Sequence, residues 1–289
     1  MKISQLEGQF YGWSRYDRNL SPVTIEDYKR SLRVFKKDIG DLEVEEIKLD
    51  HFSKWKQRCL ERGVGAYCLA GYLFNMRSFL KYCQYKGFKV IDPSEIKPPK
   101  FRRKKVIYLT NEEVKKFSES IDISTIEGLR NRTLVETLLG TGVRISEALR
   151  LNREDIKNGE AEIIGKGGKE RTIYFSDRAL KWINEYLKVR KDKYPPLFAA
   201  HCKRGRLSAT TIQEWFPKYR REIGMDYKPI SAHIMRHTFC TNLKNNGCNL
   251  FDIQHMAGHE NIKTTVDNYI GIDEGEIKKS HQKYLNYDR

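Results

Sequence analysis

Between His233 and Tyr269 the chain reads HIMRHTFCTNL and then HMAGHENIKTTVDNY. Two stretches upstream, TGVRISEAL at 141–149 and GKGGKER at 165–171, carry the same kinds of side chain. Arginines, histidines, lysines and a tyrosine are the types that could hold an anionic phosphodiester and attack it with a phenol. On a helix starting near Ser231, residues His233, Arg236 and His237 stand at i, i+3 and i+4 and project from one side. That side is too polar for a plain core face. A lone histidine or arginine there would read as a buried, paired structural residue; several together in a basic protein read as a site.

Helices and one hairpin must position these residues. Ser21 caps and Pro22 opens a helix in which Ile25, Tyr28, Leu32, Phe35 and Ile39 recur at helical spacing, with Lys29, Arg30, Arg33, Lys36 and Lys37 on the opposite face. Further helices fit 51–62, stopped by Gly63, and 66–86, followed by Gly87, with a weaker one at 3–17. This N-terminal part reads as a small bundle without a catalytic cluster. Pro98 and Pro99 then break the pattern. Domains are therefore expected at 1–97 and 108–289, joined by a linker at 98–107. Within it Lys100, Arg102, Arg103, Lys104 and Lys105 suit a strap along a phosphate backbone or, equally, an ordinary solvated linker.

Beyond the linker, Thr110 and Glu113 form a capping box, and a helix over about 127–139 ends at GTG. Arg144 follows that turn and opens the amphipathic run RISEALRL. Residues 161–175 switch to β character, with Lys166 and Lys169 flanking a hairpin tip. Helices are expected at 177–190, 209–222 and 232–245 behind Ser176, Ser208 and Ser231. The fold class is mainly α with one small antiparallel sheet.

Composition points to the partner. The 289 residues carry a formal charge of +16, with both signs mixed along most of the chain, which favours a folded polyanion binder, and nucleic acid leads. No apolar run approaches the ~20 residues needed to cross a bilayer, and the N-terminus lacks the apolar core of a secretory signal, so a cytoplasmic protein without a membrane partner is expected. Six cysteines at irregular spacings indicate neither a disulfide framework nor a zinc site; most are expected in the core. His255 and His259 lack the glutamate of HExxH, and GKGGKER lacks the Ser or Thr of a nucleotide-binding loop, so a metalloprotease and an NTPase are both rejected.

In order, TGVRISEALRL, GKGGKER, HIMRHTFCTNL, AGHENIKTT and the tyrosine of DNYIG resemble the tyrosine recombinase or phage integrase family, including its Xer-type members. The resemblance covers essentially the whole chain, with the N-terminal bundle similar in outline to that family's core-binding domain. It implies that Arg144 and Arg236 grip the scissile phosphate and that Lys166 is the hairpin lysine. His233 and His259 match the histidines of HxxR and GH, and Tyr269 matches the nucleophile. The chemistry needs such groups: two permanently charged guanidiniums stabilise the transition state without a metal. A phenol, with an ordinary pKa of about 10, loses its proton to a base such as histidine. The covalent 3′-phosphotyrosine keeps the bond energy, so no cofactor and no ATP are needed. Lys169 competes with Lys166, and Tyr284 and Tyr287 with Tyr269, while His237 reads as structural.

The resemblance implies double-stranded DNA with a specific recombination site as substrate and a tetramer on DNA, because two duplexes need four active sites. Accessory proteins are not legible. The spacing of ten residues from His259 to Tyr269 is one longer than is usual in Xer-type members, and it resembles some phage and transposon integrases. On a continuous helix one added residue turns the side chain by ~100°, so the insertion is expected in a loop. The alternatives are a type IB topoisomerase-like enzyme, which rejoins the same strand, and a catalytically silent DNA-binding protein.

Overall fold

The structure is a computed structural model that describes residues 1–100, 106–200, 205–259 and 261. The chain divides into two compact units, Met1–Lys104 and Lys105–Arg289.

The N-terminal unit holds helices α1 (Ile3–Gly12), α2 (Pro22–Ile39), α3 (Leu49–Glu61) and α4 (Ala66–Tyr85), with a π-helical turn at Trp13–Asp17 closing α1. The Ser21 side chain accepts from the Thr24 N–H at 3.2 Å, the capping bond its position in the sequence predicts. Gly63 and Gly87 follow α3 and α4 with φ of 76° and 88°, a conformation that glycine adopts without strain. Each helix turns its apolar stripe inward. Phe10 stacks on Tyr28 at 4.9 Å and meets Phe79 edge-on at 5.4 Å, while Phe35 meets Trp55 edge-on at 5.0 Å. Burying aromatic rings of this size contributes about 2–3 kcal/mol each through the hydrophobic effect.

The C-terminal unit runs α5 (Asn111–Glu119), α6 (Ile126–Thr141), α7 (Ile145–Ala148), β1 (Glu160–Ile164), β2 (Glu170–Tyr174), α8 (Asp177–Val189), β3 (Ala199–Ala200), β4 (Gly205–Arg206), α9 (Ala209–Glu222), α10 (Ala232–Asn245) and α11 (Leu250–Ala257). Strands β1 and β2 pair antiparallel, with Ile164 opposite Glu170, and β3 pairs antiparallel with β4. Helix α6 is the centre, packed by α8 and α10 and buried on nearly every side. Its buried charged residues are matched within the protein. Arg132 bonds the Glu136 carboxylate at 2.8 Å, Arg178 reaches the same group at 2.7 Å, and the Arg132 guanidinium lies 4.6 Å from the Trp182 ring centre.

Several details go beyond the sequence pattern. The run opened by Arg144 is helical only through Ala148; Leu151 leaves it to accept the Leu197 N–H at 2.8 Å, and that pairing ends the helix. A second two-stranded sheet is present, with strands too short to show alternation. Helix α11 is an element of its own, capped by Asn249, whose side chain accepts from the Phe251 N–H at 2.9 Å. Cys59, Cys83 and Cys240 are buried, whereas Cys68 is exposed. Among the described residues no helix is long and apolar enough to cross a membrane.

Candidate active site

Arg144 takes its place from the end of α6. Gly142 closes that helix in the left-handed conformation, φ 64°, and a side chain there would meet the Phe239 ring at 2.2 Å, so both the turn and its packing need glycine. Arg144 then serves as the N-cap residue of α7. Its backbone N–H donates to Glu147 Oε2 at 2.8 Å, its Nη1 to Oε1 at 2.9 Å, and its Nη2 to the Gly258 carbonyl at 3.0 Å. The side chain remains 35% exposed, open to a ligand while held from behind.

Arg236 comes from α10, whose first turn is capped by Ser231. It is only 4% exposed, and its Nη1 donates to the Gly142 carbonyl at 2.9 Å. Burial first, and then the Arg144 charge, draw its pKa down to about 10. It therefore stays protonated at neutral pH but carries an unfavourable electrostatic load that a bound anion would relieve. His233, one turn earlier, lies on the exposed side with its ring edge-on to His237, the centroids 4.2 Å apart. Partial desolvation, then Arg236 and Arg144, hold His233 below the ordinary imidazole value, which favours the neutral form a base requires.

His259 arrives on the turn that ends α11. Gly258 has φ 64°, the His259 N–H donates to the Gln254 carbonyl at 3.0 Å, and Gln254 Nε2 returns a bond to the His259 carbonyl at 3.0 Å. Burial, followed by the charges of Arg236 and Arg144, pushes its imidazole down to about 4. His237 also falls to about 4, through burial and then His233 and Arg236. Four residues singled out in the sequence, Arg144, His233, Arg236 and His259, thus share one electrostatic environment.

The hairpin reaches the same place. Gly165 N–H donates to the Lys169 carbonyl at 2.8 Å, with a single turn at Lys166–Gly168 between them. A cleft of about 350 Å³ is lined by Arg144, Lys169, Arg171, Phe251, His255 and His259, among others. The Lys166 side chain and Tyr269 lie outside the described residues, as do Arg102, Arg103, Lys104 and Lys105; Lys100 is exposed.

Two residues escaped the sequence reading although both stand inside quoted motifs. Glu147 is 4% exposed, and Arg171 on β2 donates to its two oxygens at 3.1 and 2.8 Å. Burial alone would raise the Glu147 carboxyl. The bonds from Arg171 and from the Arg144 N–H outweigh that effect and hold it below the usual value. The guanidiniums of Arg144 and Arg171 share one carboxylate and the buried Arg236 adds a further positive charge, so the site keeps a surplus of positive charge. Such an arrangement binds an anion, and fixed donors of this kind stabilise charge that develops on phosphoryl oxygens. Among the described residues no cluster of ligands could hold a metal ion.

The family described as "Phage integrase family" matches residues 108–276, and "Phage integrase, N-terminal SAM-like domain" matches residues 9–87. Tyrosine recombinase XerC of Caldanaerobacter subterraneus subsp. tengcongensis is 35% identical over 218 residues, covering 72% of this chain and 60% of that protein. Tyrosine recombinase XerD of Listeria monocytogenes is 32% identical over 263 residues, 86% of this chain and 88% of that protein. Among solved structures, the Tn1549 transposon integrase in complex with transposon right end DNA superposes with a TM-score of 0.79 at 21% identity, covering 98% and 99% of the two chains. The XerH site-specific recombinase bound to its difH substrate gives 0.72 at 22% identity, covering 97% and 85%. These structural likenesses concern the fold. Because the first family match takes in more than half of the chain, and the XerD match most of both proteins, the chain belongs to the phage integrase family of tyrosine recombinases.

Proposed function

We propose that this protein is a site-specific DNA recombinase that cuts and rejoins strands through a 3′-phosphotyrosyl intermediate. The observation that carries the reading is the pair of guanidiniums, Arg144 and Arg236, each anchored to backbone, with the Arg144 charge close enough to help lower the Arg236 pKa. They bind the non-bridging oxygens of the scissile phosphate. Tyr269 Oη attacks phosphorus and gives its proton to His233, whose pKa burial and the neighbouring arginines hold below the usual imidazole value. The bond from phosphorus to the 5′ oxygen breaks, and that oxygen takes a proton from Lys166. His259 donates a hydrogen bond to the phosphoryl group. In the second half, a 5′ hydroxyl of another strand attacks the phosphotyrosine, forms the new phosphodiester and releases the phenol.

In this reading residues 1–97 bind the duplex through the basic face of α2, and residues 98–107 track its backbone with Lys100, Arg102, Arg103, Lys104 and Lys105. Strand exchange between two duplexes uses four copies, so the working form is a tetramer on double-stranded DNA. Its place of work is the cytoplasm.

The test is adduct formation on a library of duplexes, each nicked so that the cut end diffuses away. The protein is expected to form a covalent adduct in the presence of a chelator and to lose it in Tyr269→Phe. An adduct that persists in Tyr269→Phe moves the nucleophile elsewhere, and no adduct with any duplex ends the reading.

A further inference from the structure

Arg171 has no part in the chemistry just described, yet among the described residues it is the most enclosed of the charged groups on the hairpin. Its side chain is 8% exposed. With Arg144 it fills the acceptor positions of Glu147. Oε1 accepts from Arg144 Nη1 at 2.9 Å and Arg171 Nη1 at 3.1 Å, and Oε2 from the Arg144 N–H at 2.8 Å and Arg171 Nη2 at 2.8 Å. The same guanidinium packs on the turn that carries His259, where a Cβ added to Gly258 would stand 2.6 Å from Arg171 Cζ. It also packs on the start of the hairpin turn, where a Cβ on Gly165 would lie 3.1 Å from Arg171 Nη1. The carbonyl of Gly258 in turn accepts from Arg144 Nη2 at 3.0 Å. One side chain therefore touches Glu147, the turn that carries His259 and the start of the hairpin turn, and the first two of these also bond Arg144.

The charge balance gives this geometry a purpose. Were Glu147 paired with Arg144 alone, the buried carboxylate would neutralise the guanidinium that has to meet the phosphate. Shared between two cations, it orients Arg144 and leaves part of that charge available. We infer that Arg171 is a positioning residue of the phosphate site: it holds Glu147 in a two-pronged grip and fills the space beside Gly258, which aims Arg144 and ties the hairpin to the His259 turn. The inference rests on the recombinase reading and adds to it a residue outside the set that touches the substrate.

The experiment measures single-turnover adduct formation on a nicked duplex selected as above, and affinity for the same duplex, in Arg171→Met and Arg171→Lys. Arg171→Met is expected to slow adduct formation by about a hundredfold, the scale of a misplaced catalytic group, with affinity within about threefold of the parent. Arg171→Lys keeps the charge without the fork and falls between the two. Adding Glu147→Gln to Arg171→Met removes the unshared anion and should recover about tenfold. On an Arg144→Ala background, Arg171→Met should cost less than about twofold, because the group it aims is gone. A merely structural role would give equal losses on both backgrounds and no recovery, and either result overturns the inference. If Arg171→Met fails to fold, judged by its melting transition, the same cycle is run with Arg171→Lys. An unsubstituted protein that forms no adduct defeats the recombinase reading itself; one that does, matched by an equally fast Arg171→Met, defeats only the role of Arg171.

Discussion

In the N-terminal unit the buried polar side chains among the described residues are Ser14, Ser31 and Asp38, whereas in the C-terminal unit they include Arg130, Arg132, Glu136, Glu147, Arg190 and Arg236. The first unit is held by aromatic and aliphatic packing around Phe10, Phe35 and Trp55. The second spends much of its interior on guanidiniums and the carboxylates that match them. Buried ion pairs contribute little net stability, because desolvation offsets the attraction, but they fix charge in place. The contrast separates a unit built to stay folded from one built to hold a positive field at a defined position.

Four changes would break or sharpen that contrast. Phe10→Ala removes the ring that contacts Tyr28, Phe79 and Tyr82, and should cost about 3–5 kcal/mol in urea unfolding. A cost below about 1 kcal/mol would show that the aromatic core is not the chief support of that unit. In the C-terminal unit, Glu136→Ala leaves Arg132 buried without its carboxylate and should cost about 3 kcal/mol. The double change Arg132→Met with Glu136→Leu should come within about 1 kcal/mol of the parent, since an apolar pair of similar volume replaces the ions. Equal losses in the single and double variants would contradict the claim that these charges add little net stability.

Acid supplies the third. His237 and His259 have folded pKa values of about 4 against an ordinary 6.5, so the unfolded chain takes up their protons first as pH falls. Stability is unaffected by them above pH 6.5, declines between 6.5 and 4, and levels off below; solvent screening of these part-exposed rings keeps the loss well below the roughly 7 kcal/mol that the two full shifts would give. Melting temperatures measured across that window should fall, and His259→Gln should flatten the slope. The smallest effect is expected from Ser21→Ala, which removes the cap of α2 and should cost about 1 kcal/mol, read as a shift in urea midpoint.

The same contrast governs what could be read from the sequence. Ile25, Tyr28, Leu32 and Phe35 announce α2 by spacing alone and are all buried, and the caps at Ser21, Thr110, Ser176, Ser208 and Ser231 each hold a helix start. Where polar residues do the packing, periodicity carries no signal. The full burial of α6 was hidden because Arg130 and Arg132 find acceptors at Ala199 and Ser118, far away in the chain. Helix α11 is eight residues long and leaves Phe251 69% exposed, so its apolar pattern is faint. In the site, Arg144, His233, Arg236 and His259 do come together. The grip of Arg171 on Glu147, between residues 24 apart on different elements, follows no local rule and emerges only in three dimensions.

Arg236 leans on a peptide oxygen, that of Gly142, and a peptide oxygen has no proton to gain and no side chain to exchange. Its direction is accordingly indifferent to pH and to most mutations around it, unlike Arg144, which depends on a carboxylate that acid can discharge. What it does depend on is the shape of one turn: any side chain at 142 would have to displace the Phe239 ring, so the aim of this guanidinium is inherited from the fold of α6 and α10.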